Sequence, residues 1–233
     1  MPLLILRPLI TAIIEYLLAY RVFKKGHILP IATSLFLISL ATYQFGEYLF
    51  LSQNDRTWFA ISLFATTMLP PYGLLLVEKL SHKHTFYILF LIASALFGLT
   101  FILVPSVVPG ANECNCFAKI DSSTLVGWEK IFFTNWGIYY FSSLALTMVL
   151  MLWHIFRKNG DTKNLTLLLI GYFSFFPFSY FVIHFWGVNG GLIASVMCAL
   201  AIICAFIVTH ISESNPSLKL KTTKKIRRVA KRI

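Results

Sequence analysis

Gln44 and Glu47 stand one helical turn apart inside the apolar run SLATYQFGEYLF, residues 39–50. Residues three apart share a helix face, so an amide lies directly beneath a carboxyl group. Ionisable groups within apolar spans are expensive to bury and point to function by default. Other polar groups collect at a comparable depth on other segments. Arg7 lies near the start of the first, TNWGIYYF brings Asn135, Trp136 and Tyr139, and SYFVIHFW brings Tyr180, His184 and Trp186, with Asn189 following. The expected site is a ligand or ion pocket made from Glu47, Gln44, Arg7, His184, Asn135 and Tyr139. The alternative is a polar clasp between helices, with Trp58 and Trp186 as ordinary interface anchors. Glu15 stands apart, about 18 Å along the first segment from Leu3. A carboxyl group there suits a proton or cation relay, or an acid bonded to Tyr43 or Ser39.

The elements that must position these residues are membrane helices. The chain has 233 residues, is 58% hydrophobic and only 12% charged, and has a mean hydropathy of +0.75. A soluble domain is nearer a quarter charged. Seven apolar stretches are predicted to be helices, over 3–23, 28–51, 57–80, 85–105, 131–156, 165–187 and 190–211. Each is long enough to cross about 30 Å of hydrocarbon at 1.5 Å per residue. Strands of a β-barrel would be about half that length and would alternate strictly. The expected fold is therefore an all-α seven-transmembrane bundle over 1–212, followed by a basic tail over 213–233.

Charge sets the expected orientation. Sixteen of the twenty Lys and Arg residues fall in connections 1–2, 3–4 and 5–6 and in the tail. The positive-inside rule puts that side in the cytoplasm and the N-terminus outside, in a cell membrane. The first segment reads as an uncleaved anchor, because its charges follow the apolar run. The net charge of +11 does not imply nucleic acid, since eight of the basic residues follow the last span. SLKLKTTKKIRRVAKRI places Ile226, Val229, Ala230 and Ile233 at helical spacing among Lys and Arg. The expected partner is anionic inner-leaflet lipid; a disordered topology signal and a docking site for a cytoplasmic protein are the alternatives.

Cys114 and Cys116 lie in the long connection before the fifth span and are compatible with a strained disulfide, free thiols or half of a metal site. Cys198 and Cys204 read as packing residues. Pro70, Pro71 and Pro177 interrupt spans and favour kinks. No cofactor motif, H-E-x-x-H, paired intramembrane Asp or Ser/His dyad appears, so a membrane enzyme is disfavoured.

Gln44-x-x-Glu47, then Pro70-Pro71, then Glu78-Lys79 resembles a family of small bacterial seven-helix proteins without an assigned activity. That family carries His before the Gln and Gly-x-x-Trp after the Glu, where this chain has Tyr43 and YLFL. The region is also similar to seven-helix sensor portions of histidine kinases. The leading expectation is a sensor that signals through a partner protein. A small proton- or cation-coupled transporter and a membrane scaffold or assembly partner are the alternatives. An inverted repeat, the mark of many carriers, is not visible.

The charge bias generates a direct test. In intact cells an impermeant thiol reagent is expected to modify a cysteine placed at Asn112 and to spare one at Asp161. The reverse pattern inverts the orientation.

Overall fold

The computed structural model describes residues 2–25, 28–53, 55–108, 125–178, 181 and 190–214, with side chains for 6–25, 29–53, 55–108, 125–177, 181 and 198–214. His184, Tyr180, Trp186, Asn189, Cys114, Cys116 and the basic tail lie outside them. The described residues are helical, without a strand. The helices are α1 (Pro2–Phe23), α2 (Ile28–Gln53), α3 (Arg56–Thr67), α4 (Leu69–Ser81), α5 (Tyr87–Leu103), α6 (Gly127–Phe156), α7 (Thr162–Phe173) and α8 (Gly190–Ser214). A π-helical turn, Ser174–Phe178, contains Pro177 and directly follows α7.

Local chemistry starts and stops these elements. Asp55 caps α3 by accepting a 2.9 Å bond from the Thr57 amide. That bond holds the Asp55 carboxyl below its ordinary value. Asp161 caps α7 through the Asn164 amide at 3.2 Å, and its own N–H donates to the Leu80 carbonyl at 2.9 Å. Glu78 closes the α4–α5 connection, receiving the Thr85 amide at 3.2 Å and pairing with Lys79 at 3.1 Å. Arg21 and Lys25 at the end of α1 both reach Glu213 at the end of α8, at 2.9 and 3.0 Å.

The stretch 57–80, expected as one span, divides at Met68 into α3 and α4. Pro70 and Pro71 occupy the first turn of α4, where a missing N–H costs least. Even so, Pro71 cannot supply the donor that the Thr67 carbonyl would receive in a continuous helix. Ser94 of α5 supplies it instead, donating to that carbonyl at 2.6 Å. Trp136 of α6 donates to the neighbouring Thr67 hydroxyl at 2.8 Å. The break is thus stitched to two other helices.

α2 and α4 form the middle of the bundle. α2 packs on α1, α3, α4 and α8, while α4 also meets α5, α6 and α7. Two glycines permit the closest approaches. A Cβ at Gly46 would fall on the Ser62 hydroxyl of α3, and one at Gly73 on the Tyr172 hydroxyl of α7. Small residues at such crossings let helices pack tightly without a hydrophobic force between them. Phe36 of α2 lies 5.8 Å from the Tyr172 ring, completing that contact.

Large apolar side chains cover the exterior, while polar groups lie within an otherwise apolar core. Glu15, Gln44, Thr33 and Ser94 are fully buried, while Leu96 is 65% and Phe141 62% exposed. An apolar exterior this extensive would be an aggregation surface in water and is ordinary against lipid. Three helical stretches are long and apolar enough to cross a membrane, Leu29–Gln53, Arg56–Ser81 (α3 and α4 taken together) and Gly127–Phe156. α5 (Tyr87–Leu103) is a shorter apolar helix, and the Cys198–Ser214 part of α8 is apolar as well.

The stitched break makes a prediction. Ser94→Ala should cost about 1–3 kcal/mol, because it leaves the Thr67 carbonyl without a donor. In a Pro71→Ala background the same change should cost less, since residue 71 then donates along the helix. Unfolding of the four variants in detergent measures the coupling; an equal cost in both backgrounds would disconnect Ser94 from the proline.

Candidate functional site

α2 carries the buried pair. Gln44 is fully buried and Glu47 is 4% exposed. Helix geometry puts them on one stripe with Leu40, Leu37 and Thr33. The Cys198 thiol of α8 donates to the Gln44 carbonyl oxygen at 3.1 Å, joining two helices that are 154 residues apart in sequence. Nε2 of the same amide has no hydrogen-bond partner among the described residues. The amide can be turned over without changing its shape, yet one of its two polar atoms is left over either way. A buried polar group without a partner costs about 1–3 kcal/mol, which asks for a compensating role or an internal water.

Glu15 belongs to a different part of the interior. The buried positions of α1 are Pro8, Thr11, Ala12, Glu15, Ala19 and Val22. They fall on one stripe, and Glu15 lies near its centre. Both carboxyl oxygens are buried without a hydrogen bond among the described residues, so neither the Tyr43 nor the Ser39 hydroxyl is bonded to them. An ionised carboxylate would be costly here without a cation, and a neutral acid would lack an acceptor for its proton.

The remaining expected members do not join this interior pair. Arg7 is exposed and forms no ion pair among the described residues. Its position is roughly 90° off the centre of the buried α1 stripe. Its carbonyl accepts from Thr11 at 3.0 Å. Asn135 is exposed on α6. Tyr139 is half-buried and works between α5 and α6, its hydroxyl 2.7 Å from both the Ser94 hydroxyl and the Phe90 carbonyl. With one proton each, the Ser94 and Tyr139 hydroxyls serve the Thr67 and Phe90 carbonyls, and either can share its proton with the other. Trp136, expected among the polar groups at the site's depth, is buried and fixes α6 to α3.

Sequence reasoning missed Cys198 as a polar partner. Its type and apolar neighbours read as packing, and only the fold brings it to Gln44. It also missed Thr33, Thr209 and Ser212, whose hydroxyls are buried without partners among the described residues. A signal did exist: Thr33 precedes Gln44 by the same eleven residues that separate Cys198 from Thr209. Eleven residues are close to three full turns. Among the described residues no group of three metal-ligating side chains is present.

Placement of Arg7 and Glu47 predicts their energetics. Glu47→Gln should be nearly silent in stability, and Glu47→Ala should cost about 1–3 kcal/mol. Arg7→Gln combined with Glu47→Gln should be additive within about 0.5 kcal/mol. Melting in detergent at about pH 5 to 8 reads this, and coupling beyond that limit would bring Arg7 to the carboxylate. Comparison with protein-family models, with characterised proteins and with solved structures yields no match, so the site stands on its geometry alone.

Proposed function

We propose that this chain is a multi-pass protein of the cell membrane, a seven-helix bundle with its N-terminus outside and its C-terminus in the cytoplasm. Its role in this reading is sensing. Gln44 and Glu47 receive a small positively charged ligand, an inorganic cation or an ammonium group, with His184 the further member that the sequence suggests. A partner protein carries the signal, and the basic tail rests on anionic lipid. The observation that carries the reading is the fully buried Gln44 amide, with bonding capacity left over among the described residues, one turn from the buried Glu47 carboxyl. A purely structural clasp would gain by spending that capacity on a neighbour.

A cation that binds the folded form alone should raise its stability, by about 2.7 kcal/mol at a hundred times its dissociation constant. The test is melting of the purified protein in sodium, potassium and ammonium chloride, with choline chloride holding ionic strength constant. One of the small cations is expected to raise Tm in the native protein. Glu47→Gln and Gln44→Leu are expected to fold and lose that response. Identical melting in all four salts would remove the cation-sensing reading.

A further inference from the structure

The unspent polar groups of the interior are aligned. On α2, Gln44 and Thr33 lie on one face, eleven residues apart. On α8, Cys198, Thr209 and Ser212 lie on one face, with Ala201 and Ala205 between them. The Gln44–Cys198 bond sets the two faces against each other at one end. The helices are antiparallel, so eleven residues down each chain brings Thr33 and Thr209 to a common depth, about 16 Å below that bond.

α1 supplies the group between them. Arg21 and Lys25 bond Glu213, and Ser34 donates to the Ala19 carbonyl at 3.0 Å. These contacts put Glu15 level with Ala205. It stands about 10 Å below the Gln44–Cys198 bond and about 6 Å above the two threonines. Ala201, Ala205 and Ala41 are fully buried around that depth and are the smallest side chains that carry a Cβ. The Glu15 carboxyl, the Thr33, Thr209 and Ser212 hydroxyls and Gln44 Nε2 all lack hydrogen-bond partners among the described residues. Five such groups scattered through a core would be five separate penalties. In one seam they are a set of donors and acceptors at distances that one to three water molecules bridge.

We infer that the α1–α2–α8 seam is a proton path, with Glu15 as its relay and internal water joining it to Gln44–Cys198 on one side and to Thr33, Thr209 and Ser212 on the other. The Glu15 carboxylate takes a proton from hydrated proton above it and gives it to water below. Each hydroxyl accepts one proton and releases another, so every residue returns to its starting form. The other titratable groups near the relay are Tyr43 and Glu47 on α2, Cys198 and Cys204 on α8, and Tyr172 on α7. His210, the one described histidine of α8, is exposed. No Lys, Arg or His of the described residues faces the seam between Gln44 and Ser212, so no fixed positive charge opposes the proton. The path does not need a ligand at Glu47 and stands or falls separately from the sensing role.

The full chain in liposomes, loaded with a pH-sensitive dye and driven by a potassium diffusion potential with valinomycin, tests it. The native protein should acidify the interior faster than empty liposomes. Glu15→Gln should abolish that flux, while Thr33→Val with Thr209→Val should slow it severalfold. His210→Gln, on the exposed side of α8, should leave it in place, which ties the flux to the buried seam. Native flux no greater than that of empty liposomes, or full flux through Glu15→Gln, would overturn the path. If Glu15→Gln does not fold, a hydrophobic carbodiimide on the native protein carries the test. Labelling of Glu15 with matching loss of flux supports the relay, and loss of flux without a label at Glu15 refutes it.

Discussion

Hydrocarbon offers no hydrogen bonds, and this single constraint organises the bundle. A polar group that turns outward from a lipid-facing helix has nothing to bond, so it turns inward or stays at an end. The described helices follow that rule closely. Isoleucine, leucine and phenylalanine cover the outside of α1, α5 and α6, and threonine, serine, glutamine and glutamate lie within. Several interior hydroxyls are spent on backbone carbonyls one turn earlier, as at Thr66, Thr67 and Thr147. The helices also have to be held together without the hydrophobic force that packs a soluble core. Glycine contacts, a buried indole bond and a rescued carbonyl take its place.

Much of this was legible from the chain alone. Apolar runs located the ends of the described helices within a few residues, the end of the sixth run lying outside the described residues, because length and composition suffice when the surroundings are oil. Pro70-Pro71 announced a disturbance in the third run. The sequence could not say that Ser94 would mend it, since the donor sits 27 residues away and its choice depends on how α5 docks. The same limit applies to the site. Gln44 and Glu47 stood out because amides and carboxyls are rare in such runs. Cys198 did not, because a thiol is apolar enough to pass as packing until a partner is known.

Arg7 and Glu15 show how fine the remaining distinction is. Both are charged residues in one apolar helix, and depth alone makes both look interior. Rotation about the helix axis separates them. Glu15 is central to the buried stripe, whereas Arg7 falls off its edge and is exposed. Tyr139 and Asn135 divide in the same way on α6. Spacing within a segment assigns relative faces, but which face points inward is decided by neighbours far along the chain.

α6 has one more consequence. It runs unbroken for 30 residues, from Gly127 to Phe156. That is about 45 Å of rod, against about 30 Å of hydrocarbon. The excess is close to three turns, and a rigid helix disposes of it by leaning or by standing proud of the surface. Its first turn carries Glu129 and its last turns carry Trp153 beneath Arg157, groups that favour the headgroup region. Its lower half is fastened to the bundle along one side only, with Val149, Leu152, Trp153 and Phe156 facing out. The thickness of the surrounding bilayer therefore becomes a mechanical variable for this protein. The Trp136–Thr67 bond, which ties this long rod to the break between α3 and α4, sits where a change of lean would be felt.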